Sequence, residues 1–217
     1  PFIDWKSTSD GTAIYSAKSA DWDIFCQTTS DGGSKWSEGE TSDKLINDKA
    51  LSGSGKVNTP WAEVSGAIRE ESGGKRKLFF TSDRTGLEEL YSANIDNCIV
   101  TSEAVNLGVK ARYVTVDPAD GKIYITVPAS GATQIINIFD PVTKVAKPMK
   151  GAATMELEGI SAFTVSGKKF LSIGTSDFSS LGSDDIYLRE IGPDGETIVS
   201  KKNFRYITGL EKVNNVC

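Results

Sequence analysis

One short phrase recurs along this chain. Lys77-Leu-Phe-Phe-Thr-Ser-Asp-Arg-Thr-Gly-Leu-Glu-Glu-Leu-Tyr91 reads as two apolar strands joined by a polar Asp/Gly turn, and the same form returns at 12–25, 122–139 and 169–188. Self-similarity at a fixed period limits a chain to architectures in which each unit buries its apolar faces against its neighbours. On the second strand of the phrase, Lys77, Lys122 and Lys169 stand 122 − 77 = 45 and 169 − 122 = 47 residues apart. From Thr12 to Lys77 the step is 77 − 12 = 65, and the Gly/Ser/Asn/Asp-rich stretch 41–59 is read as an inserted loop that accounts for the excess.

A period of this length, four short strands per unit and helical signals almost wanting predict an all-β chain. The expected fold is a small β-propeller with four to five blades of four-stranded antiparallel sheets. It forms a single domain over 1–217, with units at about 1–59, 60–107, 108–156 and 157–203 and a closing strand in 204–217. Written as strands, the first unit uses 2–5, 13–17, 22–28 and 35–38, and the second uses 62–69, 77–81, 89–94 and 99–103. The third unit uses 113–116, 122–127, 134–139 and 145–149, and the fourth 161–165, 169–173, 185–190 and 197–202. Alternation such as Ile123/Ile125/Val127 against Tyr124/Thr126 sends one set of side chains to each face of a sheet. Leu87-Glu-Glu-Leu90 is taken as strand entry rather than a helical turn, because it stands where other units have Asp-Trp-Asp-Ile and Asp-Asp-Ile-Tyr.

Charge and composition exclude whole classes of function. A net charge of −5 and a pI near 4.9 argue against a nucleic-acid partner, which needs clustered Lys and Arg, and Lys75-Arg76-Lys77 reads as a solvated turn. No run of about 18 apolar residues could cross a bilayer. The chain opens on Pro1, so an export signal, lipid-anchor segment or neighbouring domain is expected ahead of it. Zero histidines remove Ser-His-Asp and Cys-His catalysis, His-ligated metals and a histidine pH switch. Cys26, Cys98 and Cys217 have no metal-ligand spacing; one disulfide, Cys98 with Cys217, is expected, with Cys26 a small core residue. The Asp-Gly pairs at 10–11, 120–121 and 194–195 read as hairpin turns rather than calcium loops, and neither a metal nor a cofactor is expected.

Ser82-Asp-Arg-Thr-Gly86 before Leu90-Tyr91, with Ser183-Asp-Asp-Ile-Tyr187 and Asp21-Trp-Asp-Ile-Phe25, resembles the propeller repeats of the Tol-Pal translocation protein and related periplasmic proteins. Trp36-Ser-Glu followed by Leu45-Ile-Asn47 is similar to a link seen in outer-membrane-associated proteins with these WD40-like repeats. The third unit lacks the Asp-Arg turn. A second motif, Thr29-Ser-Asp31-Gly-Gly33-Ser-Lys-Trp36, resembles the sialidase Asp box, which in that family is a folding device away from the active site. The resemblance to periplasmic repeats implies an exported protein, whether periplasmic, outer-membrane-associated or secreted, that contacts a protein or glycan of the cell envelope.

Aromatic rings near strand ends, with an arginine in the turn between second and third strands, supply the candidate binding residues Trp22, Trp61, Arg84, Tyr113 and Phe178. No catalytic residue stands out. The expected function is a non-enzymatic binding or scaffold module; the alternative is an Asp-box type glycan-binding lectin or glycoside hydrolase, which needs two carboxylates about a glycosidic bond.

Overall fold

A computed structural model describes residues 6–7, 12–18, 22–28, 57–96, 98–175 and 185–203. Among these the secondary structure is β-strand, apart from one 3₁₀ turn at Ser72–Gly74. The chain divides into two compact units, Pro1–Val114 and Thr115–Cys217.

In the first unit, β1 (Lys6–Ser7), β2 (Thr12–Lys18) and β3 (Trp22–Thr28) form an antiparallel sheet in that order. A second sheet runs β4 (Gly66–Glu70), β5 (Arg76–Ser82), β6 (Glu89–Asp96) and β7 (Ile99–Val100), and β8 (Val105–Lys110) also pairs with β6. The period-2 pattern sends Leu78 and Phe80 into one core with Ile14, Ile24, Val57, Tyr91, Ala93 and Ile95. Each fully buried Leu, Ile or Phe there contributes about 2 kcal/mol. Phe79, on the opposite face of β5, is equally buried and carries the Arg69 guanidinium over its ring at 5.4 Å. At Gly66 a Cβ would lie 3.0 Å from Ile14 Cγ2 and 3.3 Å from Ile24 Cδ1, so β4 lies close against β2 and β3 only because that side chain is missing.

Three local expectations are corrected in this unit. The strand foreseen at 62–69 begins at Gly66, because the Glu63 N–H is drawn to the Trp22 carbonyl (2.7 Å) rather than into a regular ladder. The strand foreseen at 99–103 is split. β7 pairs with the far end of β6 (Ile95, Asp96), whereas β8 pairs with its near end (Glu89, Tyr91, Ser92). The expected Cys98–Cys217 disulfide is replaced by Cys26–Cys98, with Cα atoms 5.6 Å apart. Cys26 faces the shared core from β3, and the β6–β7 turn brings Cys98 to it, with φ of 64° at Cys98. Cys217 and the first unit's outer strands expected at 2–5 and 35–38 lie outside the described residues.

In the second unit, β9 (Val114–Val116), β10 (Ile123–Pro128), β11 (Gln134–Asp140) and β12 (Val145–Pro148) make one four-stranded meander. A second is made by β13 (Gly159–Val165), β14 (Lys168–Thr175), β15 (Asp185–Ile191) and β16 (Ile198–Asn203). All eight strands fall within two residues of their expected bounds. The two sheets interlock by polar contacts: Ala162 N donates to Thr115 Oγ1 (2.9 Å), and Tyr124 Oη donates to the Gly195 carbonyl (3.0 Å). Lys169 Nζ joins Asp117 Oδ2 (3.1 Å) and Asp120. Asp120-Gly121 and Asp194-Gly195 turn the chain between β9 and β10 and between β15 and β16, and Asp194 accepts from the Glu196 N–H (2.9 Å) and the Thr197 hydroxyl (2.8 Å).

Candidate functional site

The phrase that repeats in the sequence builds, in the first unit, a buried charge pair with an open rim beside it. Asp83-Arg-Thr-Gly86 is the turn between β5 and β6, closed by the Gly86 N–H on the Asp83 carbonyl (2.7 Å), and its geometry places a glycine at φ 84°. From this turn the Arg84 guanidinium reaches inward. Its Nη2 donates to the Val57 carbonyl (2.5 Å) and to Glu63 Oε1 (3.2 Å), its Nε to Ser82 Oγ (2.9 Å). Its Cζ lies over the Tyr91 ring at 4.6 Å and the Phe80 ring at 5.4 Å, which stack on each other with centroids 5.6 Å apart.

Glu63 is wholly buried. Its carboxylate accepts from Ser82 Oγ (2.6 Å), Thr59 Oγ1 (2.9 Å) and Thr59 N–H (3.0 Å) as well as from Arg84. Burial pushes the Glu63 carboxyl up to about 7 against the pull of those donors. Burial likewise lowers the Arg84 guanidinium, countered first by the Glu63 charge. Next to this pair, Asn58 uses its side-chain amide as a strand would, donating to the Ile24 carbonyl (3.0 Å) and accepting the Ile24 N–H (2.9 Å). The described end of the 41–59 insertion is therefore core: Val57 and Asn58 are buried, not part of a binding surface.

Outside the pair lies a second set of groups. Asp83 Oδ1 accepts the Ala62 N–H (2.8 Å) and the Asp83 N–H returns to the Ala62 carbonyl (3.2 Å), so the turn is tied to the residue that follows Trp61. Trp61 is 52% exposed, the largest exposed ring among the described residues. Glu88, half-buried at the entry to β6, has its carboxyl raised by burial and by the Asp83 charge, while Arg112 (Nε to Glu88 Oε1, 3.8 Å) opposes the shift. The Glu88 carbonyl accepts the Ala111 N–H (3.0 Å), and the Arg112 carbonyl accepts from Thr81 Oγ1 (2.8 Å), which fixes the 110–113 segment alongside. Two interacting carboxyls on one turn, one of them raised above its ordinary value by burial, are a pair of the kind that can divide acid and base roles.

Of the residues singled out from sequence, the structure gathers four around this turn. Trp61 is open. Arg84 is nearly buried, so it is an internal strut rather than a contact residue. Tyr113 is buried beneath the Arg112 guanidinium (5.7 Å to the ring centroid). Trp22 joins through its carbonyl, which holds Glu63. Phe178 and the Asp box residues Thr29, Asp31, Gly33 and Trp36 lie outside the described residues. Sequence reasoning passed over Glu63, Asp83 and Glu88. Asp83 and Glu88 bracket the quoted turn itself, so the signal was in the motif, whereas Glu63 stands 84 − 63 = 21 residues before Arg84 and only the fold joins them. Among the described residues no cluster of three or more His, Cys, Asp or Glu side chains is placed to hold a metal ion, and no helix is long and apolar enough to cross a membrane.

No family model and no curated protein matches the sequence. Solved structures do match the fold. An exo-1,5-alpha-L-arabinanase from a bovine ruminal metagenomic library superposes with a TM-score of 0.52 at 13% identity, over 89% of this chain and 75% of its own. The alpha-L-arabinofuranosidase of Clostridium thermocellum gives 0.52 at 14%, over 92% and 70%. A protein from a family of mannoside phosphorylases containing glycoside hydrolases that target beta-1,2 mannosidic linkages in Candida mannan gives 0.54 at 12%, over 93% and 70%. The fold is a small β-propeller. The expectation of a non-enzymatic binding or scaffold module is corrected by these neighbours, which favour the hydrolase alternative. The physical reason it failed is that a pair of carboxylates about a glycosidic bond is brought together by the fold and carries no fixed spacing in the sequence.

Proposed function

We propose that the protein is a glycoside hydrolase whose acid and base are drawn from Glu88 and Asp83, with Trp61 as the platform for a sugar ring. The observation that carries this reading is the Glu88 carboxyl, raised by burial and by the neighbouring Asp83 charge, at a turn whose rim bears an exposed tryptophan. A carboxyl raised above its ordinary value holds its proton more readily and can protonate a leaving oxygen, and a second carboxylate can activate water or stabilise the cationic transition state. The glycan-active enzymes that share the fold support the substrate class. The Cys26–Cys98 disulfide supports an oxidising, exported setting, periplasmic, outer-membrane-associated or secreted. The Ser82–Gly86 resemblance to Tol-Pal type repeats and the Asp box at 29–36 agree with that setting.

The test is turnover of arabinan, arabino-oligosaccharides and β-mannosides by the wild type, Glu88→Gln and Asp83→Asn. Each substitution is expected to lower kcat/KM by about 10²–10⁴, with unfolding midpoints unchanged for Glu88→Gln. A wild type inert on all these glycosides, or variants that turn over at its rate, sinks the reading.

A further inference from the structure

The Glu63–Arg84 pair has a cost that the fold does not explain. Two opposite charges removed from water stabilise a protein little and are often replaceable by apolar residues of like size. Here Glu63 is fully buried and the Arg84 side chain nearly so, with the guanidinium over the Phe80 and Tyr91 rings of the apolar core. What the pair does that apolar residues could not is bind two backbone segments at once. Glu63 holds Thr59 through its N–H and hydroxyl, and Arg84 holds the Val57 carbonyl. The segment 57–63 carries Trp61, and the turn 83–88 carries Asp83 and Glu88. The Asp83–Ala62 bonds and Ser82 on Glu63 add further ties between the two.

We infer that Glu63 and Arg84 are positioning residues: their buried pair sets the turn bearing Asp83 and Glu88 in register with the segment bearing Trp61. This rests on the hydrolase reading for its chemical consequence but not for its structural one. An ionic, forked contact fixes direction as well as distance, because the guanidinium offers its N–H groups in one plane and the carboxylate offers two oxygens in another. Apolar packing would leave the turn free to slide by a few tenths of an ångström. Catalysis by two carboxylates does not tolerate that freedom, since misplacement of reacting groups by about 1 Å costs on the order of 10²-fold.

The groups that face the pair are Thr59 from the preceding segment, Ser82 from β5 and Tyr91 from β6, whose hydroxyl accepts from Asn106 of β8 at 3.1 Å. Burial raises the Tyr91 hydroxyl above its ordinary value, so the ring meets Arg84 as a neutral partner.

The experiment compares wild type with Glu63→Gln, Arg84→Lys and Ser82→Ala, the last removing the hydroxyl that bridges Glu63 and Arg84 while keeping both charged side chains, so that a folded variant remains if the others collapse. Amide exchange is read at 57–63 and 84–88, together with kcat and KM on the substrate turned over fastest. Expected are exchange in both segments raised at least tenfold in Glu63→Gln and less in Ser82→Ala, kcat lowered about tenfold with KM within twofold, and partial retention of both in Arg84→Lys. Unchanged exchange at 84–88 in a folded Glu63→Gln overturns the positioning role whether or not any glycoside is cleaved. Raised exchange with unaltered kcat overturns its link to the chemistry. A wild type without turnover overturns the hydrolase reading alone, and the exchange data still decide whether the pair sets the turn.

Discussion

The two units use the same Asp, Glu and basic side chains at their hairpin ends, to different effect. In the second unit, Asp117, Asp120 and Lys169 form a bridge between turns, and Asp117 is nearly inaccessible while Asp120 and Lys169 retain partial exposure. Every charge in that bridge is answered by a neighbour and none faces an open ring, so it is a tie. In the first unit the tie, Glu63 with Arg84, is buried, and a second pair of carboxyls, Asp83 and Glu88, stands outside it next to Trp61. Carboxylates saturated by donors hold structure, and chemistry is left to those one layer out.

Removing the covalent tie is the strongest way to press this difference. Cys26–Cys98 spans 72 residues of the first unit, and a loop of that length is worth about 4 kcal/mol to the folded state. Cys26→Ser with Cys98→Ser is expected to lower the first unit's unfolding free energy by that amount, read by urea titration with amide exchange resolving the two units. Equal loss of protection at Ile125 and Leu171 of the second unit would show that the units do not unfold separately. A smaller effect is expected from Lys169→Met, which leaves the buried Asp117 without its cation and costs the second unit about 3 kcal/mol. Turnover should stay at the wild-type rate, since Lys169 pairs with Asp117 and Asp120 and with neither Asp83 nor Glu88; a parallel fall in kcat would break the distinction between tie and site.

Strand periodicity made the fold legible, because alternation and Asp/Gly turns are local properties: β3 spans its foreseen residues, and β10 and β15 differ from theirs by a residue at each end or at one. The split of β7 from β8 was not legible, since it depends on β6 offering its edge to two partners at different heights. Nor was the disulfide. Cys26 reads as a core residue and is one, yet the same face that buries it meets Cys98, 72 residues on. For the site, Trp61 and the 82–86 turn stood out as an aromatic and a motif. Arg84 reads from the sequence as a surface candidate, but its long side chain turns inward to a glutamate that no spacing rule connects with it.

The smallest and sharpest distinction is in pH. Glu63 is the one carboxyl among the described residues pushed as far as about 7, by burial first of all. Folded, it binds its proton more tightly than in the unfolded chain, where it titrates near 4.5. Between those values the native state holds more protons than the unfolded state, so stability from this group is present below about 4.5 and falls as pH rises toward 7. The loss is at most about 3 kcal/mol, and the counter-charge of Arg84 reduces it. The Asp120 carboxyl of the second unit is shifted the other way: it is buried in part, but the Lys169 contact and the Lys122 N–H hold it below its ordinary value, so its contribution is present at neutral pH and lost on acidification. Urea midpoints measured from pH 4 to pH 8 should therefore trend downward for protection in the first unit, whereas the trend Asp120 gives the second unit, a loss of protection on acidification, is confined to pH below 3.8. Glu63→Gln should flatten the first trend and leave the second alone. If the downward trend persists in that variant, another group is responsible and the buried pair is already fully ionised across the range.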